Sequence, residues 1–123
     1  MITYINNLPE NMVGFRSQGE VTSKDFELVK KHVKELVERT GELNYLLLLE
    51  NSPKDFSVGA WLQDVLLGIE NITKWNRVAI VSDSDTVIDF TDGFSKVMPG
   101  EFKGYHTSDY NDAVNWVSGK VNV

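Results

Sequence analysis

The chain contains no cysteine. Disulfides, thiolate nucleophiles and cysteine-based zinc sites are therefore excluded, and a reducing compartment fits. Basic charge is scarce: 12 Lys and Arg stand against 18 Asp and Glu, a net charge of −6. Polyanions such as DNA and RNA are repelled on average, and no Lys/Arg stripe offsets this. No apolar run approaches the ~20 residues needed to span a bilayer. Met1-Ile2-Thr3-Tyr4-Ile5 has neither a basic region nor a long apolar core, so it does not read as a signal peptide. The expectation is a soluble cytoplasmic protein with no transmembrane segment and no nucleic-acid partner. A glycine-rich phosphate loop is also lacking, because Gly59, Gly68, Gly93 and Gly100 have neither Walker nor dinucleotide spacing.

What is present is a pattern for a packed α/β domain. The 123 residues are 41% hydrophobic and 24% charged, ordinary values for a globular chain. One domain over residues 1–123 is expected from the length. The pattern centres on Leu43 to Leu49, where Tyr45 to Leu49 are five consecutive apolar residues. Such a run leaves no polar face. Gly41 before it and Ser52-Pro53 after it leave room for a strand but not for a packed helix. A strand apolar on both sides is an interior strand covered on both sides.

Ile2 to Ile5 reads as a first strand and Met12 to Gln18 as a second. The turn-rich Asn6 to Asn11 between them favours an antiparallel hairpin. Ser23 is the expected cap of a helix whose stripe is Phe26, Val29, Val33, Leu36 and Val37, ending at Gly41. His32 lies off that stripe among lysines and reads as a solvated surface residue. A second helix is expected near Ser57, with Val58, Trp61, Leu62, Val65, Leu66, Ile69 and Ile72 on its apolar face. Arg77 to Val81 is a buried-type strand. A third helix follows Ser82-Asp83-Ser84-Asp85, with Val87, Phe90, Thr91, Phe94, Val97 and Met98 as its stripe, and ends at Pro99-Gly100. Glu101 to His106 is a fifth strand. Ser108 or Asp109 caps a last helix carrying Tyr110, Ala113, Val114 and Val117. The order β-β-α-β-α-β-α-β-α implies an α/β fold with a mixed five-stranded sheet and about four helices.

Four stretches stand out: Leu8-Pro9-Glu10-Asn11-Met12-Val13-Gly14-Phe15 with Gly19 and Thr22, Phe56-Ser57-Val58-Gly59-Ala60-Trp61 with Asp64, Arg77 to Asp83, and Met98-Pro99-Gly100-Glu101-Phe102. In their order and spacing they resemble the SpoIIAA-like family of small bacterial proteins. That family is related to the STAS domain of sulfate transporters and anti-sigma-factor antagonists, and shares its architecture with the lipid-binding CRAL-TRIO fold. The resemblance implies a non-enzymatic binding or regulatory module, without cofactor, acting through a protein partner. The surface it suggests comprises Asp55, Phe56, Ser57, Gly59, Trp61, Asp64, Asp83 and Asp85, on the second and third helices and their loops. Anti-sigma antagonists carry a phosphorylatable serine in an Asp-Ser-Ser-Gly-like turn. Asp55-Phe56-Ser57-Val58-Gly59 matches it only at Ser57 and Gly59. Ser57 is thus a candidate phosphorylation site, and a helix cap on the simpler reading.

Other chemistry competes poorly. Asp83, Asp85, Asp89 and Asp92 cluster, with the last three on one side of the third helix. Val87 stands where a calcium loop needs an oxygen, so turn, cap and solvated-face roles explain them and no metal site is expected. No catalytic triad is visible. His106, at a strand end where α/β ligand crevices lie, would need a carboxylate orienter and a nucleophile nearby for a hydrolase-type reaction, with Asp83, Asp109 or Ser108 as the candidates. A second reading is a carrier of an apolar small molecule or lipid between Trp61, Leu66, Phe90 and Phe94. Trp75, just before a strand, reads as partly buried with its polar tip in water. Leu67 and Trp116 lie off their stripes, which leaves homo-oligomerisation open.

Overall fold

The computed structural model describes residues 1–19, 22–50, 75–94, 96 and 100–119. Its elements are β1 (Ile2–Tyr4), β2 (Val13–Ser17), α1 (Ser23–Thr40), β3 (Leu43–Leu49), β4 (Trp75–Val81), α2 (Asp85–Phe94), β5 (Glu101–Tyr105), a 3-10 turn (Thr107–Asp109) and α3 (Tyr110–Ser118). The five strands form one sheet in sequence order. β1 runs antiparallel to β2, with Thr3 opposite Arg16. β2, β3, β4 and β5 are mutually parallel. The expected mixed sheet is therefore present. The described residues hold three of the expected helices, and the one placed near Ser57 lies outside them.

β3 is the central strand, and six of its seven residues are buried. Its alternation divides the core in two. Leu43, Tyr45, Leu47 and Leu49 join Phe15, Val78 and Ile80 against Val29, Val33 and Leu36 of α1 and Val87 of α2. Leu46 turns the other way, with Ala79 and Val81, against Ala113 and Val117 of α3. Burying a side chain of this size is worth about 1.5–3 kcal/mol. That is why a strand without a polar face must lie between two helical layers.

α1 starts one residue earlier than expected, since Thr22, not Ser23, is its cap. The Thr22 N–H donates to Asp25 Oδ2 at 2.8 Å, the carboxylate half of a capping box. At the other end Gly41 takes φ 80° and its N–H donates to Val37 O at 2.8 Å. Only a residue without Cβ enters that left-handed turn freely. α2 lies close on β5. A Cβ on Gly104 would stand 2.7 Å from Ile88 Cα, so a glycine is what allows the helix this near.

Five aromatic rings, one per strand, cross the face beneath α1 and α2: Tyr4, Phe15, Tyr45, Trp75 and Phe102, at centroid spacings of 5.7, 5.6, 6.1 and 5.8 Å. This corrects two expectations. Trp75 is inside β4 and 6% exposed, and its Nε1 has no hydrogen-bond partner, so its polar tip does not reach water. His32 is half-buried rather than fully solvated and stacks on Tyr4 at 3.9 Å with rings 7° apart. One face of its imidazole is covered because α1 brings it over Tyr4 of β1. Phe90, expected in the core stripe of α2, is 41% exposed.

Candidate functional site

The parallel strands β2 to β5 end on the same side of the sheet, where open α/β folds hold their ligands. β4 leads there into Ser82-Asp83-Ser84 and then α2. Ser82 is 3% exposed and its Oγ accepts the Ser84 N–H at 3.1 Å. Ser84 Oγ accepts the Val87 N–H at 3.4 Å, so Ser84 is the helix cap, in place of the Asp83 or Asp85 expected in that role. The two serines hold the turn closed and leave Asp83 and Asp85 exposed.

Asp85 reaches across to the residue that follows β5, with Oδ1 3.3 Å from His106 Nε2. Asp85, rather than Asp83 or Asp109, is the acid beside this histidine. Both partners are open to water, at 50% and 83% exposure. A pair so placed contributes little energy. Among the described residues no nucleophile is held against it. Asp92 also turns towards β5, where Oδ1 accepts the Gly104 N–H at 2.8 Å. Asp85 and Asp92 thus share one side of α2, as the spacing implied, with Asp92 on β5 and Asp85 on His106 just beyond it. Asp89 is exposed. Among the described residues no three His or carboxylate side chains gather as metal ligands.

A second polar group lies at the β2 and β3 ends. Arg16 Nε donates to Glu50 Oε1 at 2.8 Å, and Gln18 Nε2 donates to Glu50 Oε2 at 2.6 Å. The opposite end of the sheet is tied by amides. Asn44, 4% exposed, accepts from Asn76 Nδ2 at 2.9 Å and donates to Asn11 O at 2.9 Å. Asn11 Nδ2 in turn donates to Ser118 O at 2.8 Å, pinning α3. Reading the chain missed both groups, because their members lie 32 to 107 residues apart and only strand register assembles them.

Of the residues expected at a partner surface, Asp83 and Asp85 stand together on the β4–α2 turn. Asp55, Phe56, Ser57, Gly59, Trp61 and Asp64 lie outside the described residues, as do Leu66 and Leu67. Trp116 is half-buried between the Tyr105 ring at 6.2 Å and the Arg77 guanidinium, 5.4 Å from its centroid. No described helix is long and apolar enough to cross a membrane.

The sequence model of the SpoIIAA-like family matches residues 12–118. The chain belongs to the SpoIIAA-like family. A crystal structure of an uncharacterised DUF3478-family protein with a SpoIIAA-like fold, from Shewanella loihica PV-4, superposes with a TM-score of 0.62. It is 21% identical and covers 94% of this chain and 93% of its own. At that identity the likeness speaks for the fold alone. No curated protein matches the chain significantly. The SpoIIAA-like match spans both halves of the sheet, from just before β2 to the end of α3.

Proposed function

We propose that this SpoIIAA-like chain is a non-catalytic binding or regulatory module, and that it meets a protein partner through the turn from β4 into α2. The observation that carries this reading is the exposed acidic edge formed by Asp83, on a turn locked by Ser82 and Ser84, and by Asp85 and Asp89 in the first turns of α2. A rigid acidic edge loses little conformational entropy on docking and favours a basic surface opposite it. Family membership supports the reading. The exposed His106–Asp85 pair does not favour a hydrolytic one, since general-base catalysis needs a positioned nucleophile as well as an orienting acid. The sequence expectation that Asp55 to Asp64 take part in partner binding, with Ser57 as a candidate phosphorylation site, concerns residues outside the described ones.

The test is affinity capture from an extract of the native host, comparing wild type with Asp83→Lys/Asp85→Lys. The double charge reversal is expected to abolish recovery of at least one partner that wild type retains. Identical recoveries with the folded variant would exclude this surface.

A further inference from the structure

A hollow of about 380 Å³ opens on the face of the sheet that carries α3, away from α1 and α2. It is bounded by β1, β2 and β3 on one side and by the 3-10 turn and the start of α3 on the other. Ile5 and Leu48 supply its apolar part, and Tyr110 adds an aromatic ring. Thr3 and Thr107 contribute hydroxyls, and Arg16 supplies its single positive charge. The volume falls within the usual range for small-molecule sites, and so does the chemistry: apolar surface with a few polar groups in defined places.

Arg16 is the informative residue. Its Nε is occupied by Glu50 Oε1 at 2.8 Å, and Glu50 is itself held by Gln18. The guanidinium is thereby oriented. Among the described residues, neither Nη amine has a hydrogen-bond partner. These amines are the fork with which arginine grips a carboxylate. The hydroxyls of Thr3, Thr107 and Tyr110 likewise have no partner among the described residues. Burial raises the Tyr110 hydroxyl pKa, and the Arg16 charge works against that rise, so the two groups face each other closely enough to interact. The chain as a whole carries −6 and repels anions. An oriented guanidinium beside apolar surface is therefore what would place an anion here.

We infer that this hollow binds a small amphipathic monocarboxylate, its carboxylate on the Arg16 Nη amines and its apolar body against Ile5, Leu48 and Tyr110. The site is separate from the β4–α2 turn and from any partner there, so the two ideas fail or stand independently. The ligand class follows from one cation, three hydroxyls and a short apolar patch.

The 123-residue chain is titrated with sodium octanoate and, separately, with 1-octanol, and backbone amide NMR shifts and calorimetry are recorded. Octanoate is expected to shift the amides of Thr3, Ile5, Arg16, Leu48, Thr107 and Tyr110 saturably, and 1-octanol to bind at least tenfold more weakly. Arg16→Met should weaken octanoate at least tenfold and leave 1-octanol unchanged. Glu50→Gln, which removes the competing anion, should bind octanoate as tightly as wild type or more so. Thr107→Trp, at an exposed rim position, should block both probes with the fold intact. Absence of saturable shifts at these residues, saturable shifts confined to α1 and α2, or equal octanoate affinity in wild type and Arg16→Met would each overturn the site.

Discussion

Asp92 Oδ1 accepts the outward N–H of Gly104 on edge strand β5 at 2.8 Å, so a helix carboxylate occupies a donor that a neighbouring strand could otherwise seek. The other edge is treated alike. The Ile2 N–H of β1 points away from β2 and donates to Asp25 Oδ1 at 3.1 Å. Unpaired edge donors invite strand addition from a second chain, and an acid placed on them removes the template. Asp92→Ala is therefore expected to increase self-association at raised concentration. Its stability cost should be only about 1 kcal/mol, since water can reach the freed donor. Asp92→Asn, which keeps an acceptor, should stay close to wild type. Light scattering after gel filtration reads the difference; indistinguishable masses at every concentration would remove the edge-guard role.

Asp25 should make part of the stability depend on acid pH. The largest single influence on its carboxyl is burial, which raises the pKa. The hydrogen bonds from the Thr22 and Ile2 N–H groups, the Met1 ammonium and the Thr22 hydroxyl together outweigh it, and the net shift is downward. The native state then binds this proton less readily than the unfolded chain. The stabilisation is present above the unfolded aspartate value of about 3.9 and disappears as pH falls through the lower folded value. Urea midpoints for wild type and Asp25→Asn should differ by a constant amount from about pH 7 to pH 5 and converge below about pH 4. A gap that persists unchanged at low pH would contradict this.

Gly104→Ala should be costly although its backbone needs no unusual φ. The added methyl would meet Ile88 Cα at 2.7 Å, and a helix backbone cannot rotate aside as a side chain can. Overpacking of this kind costs about 1–3 kcal/mol. Chemical denaturation measures it. A loss below about 0.5 kcal/mol would mean that α2 lifts off β5 with ease.

Tyr45→Phe should not destabilise the protein. The Tyr45 hydroxyl is fully buried without a partner, and burial drives its pKa far upward. An unsatisfied buried polar group costs about 1–3 kcal/mol, which phenylalanine of the same shape avoids. The melting temperature is expected to rise by a few degrees. A clear fall would imply that this oxygen has a partner in solution.

The outline of the fold was legible because its signals are local. Tyr45 to Leu49 lack a polar face, and that run is the central strand. The stripe Val29, Val33 and Leu36 has helical period and is what α1 buries. Gly41 and Ser84 show why ends are read less well. Glycine has one clear reason to stop a helix, whereas Ser82, Asp83, Ser84 and Asp85 can all cap one, and only the hydrogen bond to Val87 selects Ser84. Trp75 was misplaced because strand-flanking polar residues surround it, while a parallel partner, Leu43, extends β4 to include it. His32 was misread because lysines adjoin it in sequence, and Tyr4 adjoins it in space.

By itself, the amino-acid order determined the succession of strands and helices, the two-sided burial of β3 and the acidic character of the surface. Each of these depends on periodicity, turn chemistry or charge count, which act over a few residues or over the whole composition. Tertiary structure alone decided that Asp85 meets His106, that Asp25 and Asp92 reach the sheet edges, and that Arg16 shares a hollow with Thr107 and Tyr110. The reason is strand register: moving one strand by a single residue turns its side chains to the opposite face, and no local pattern in the chain records which residues then become neighbours.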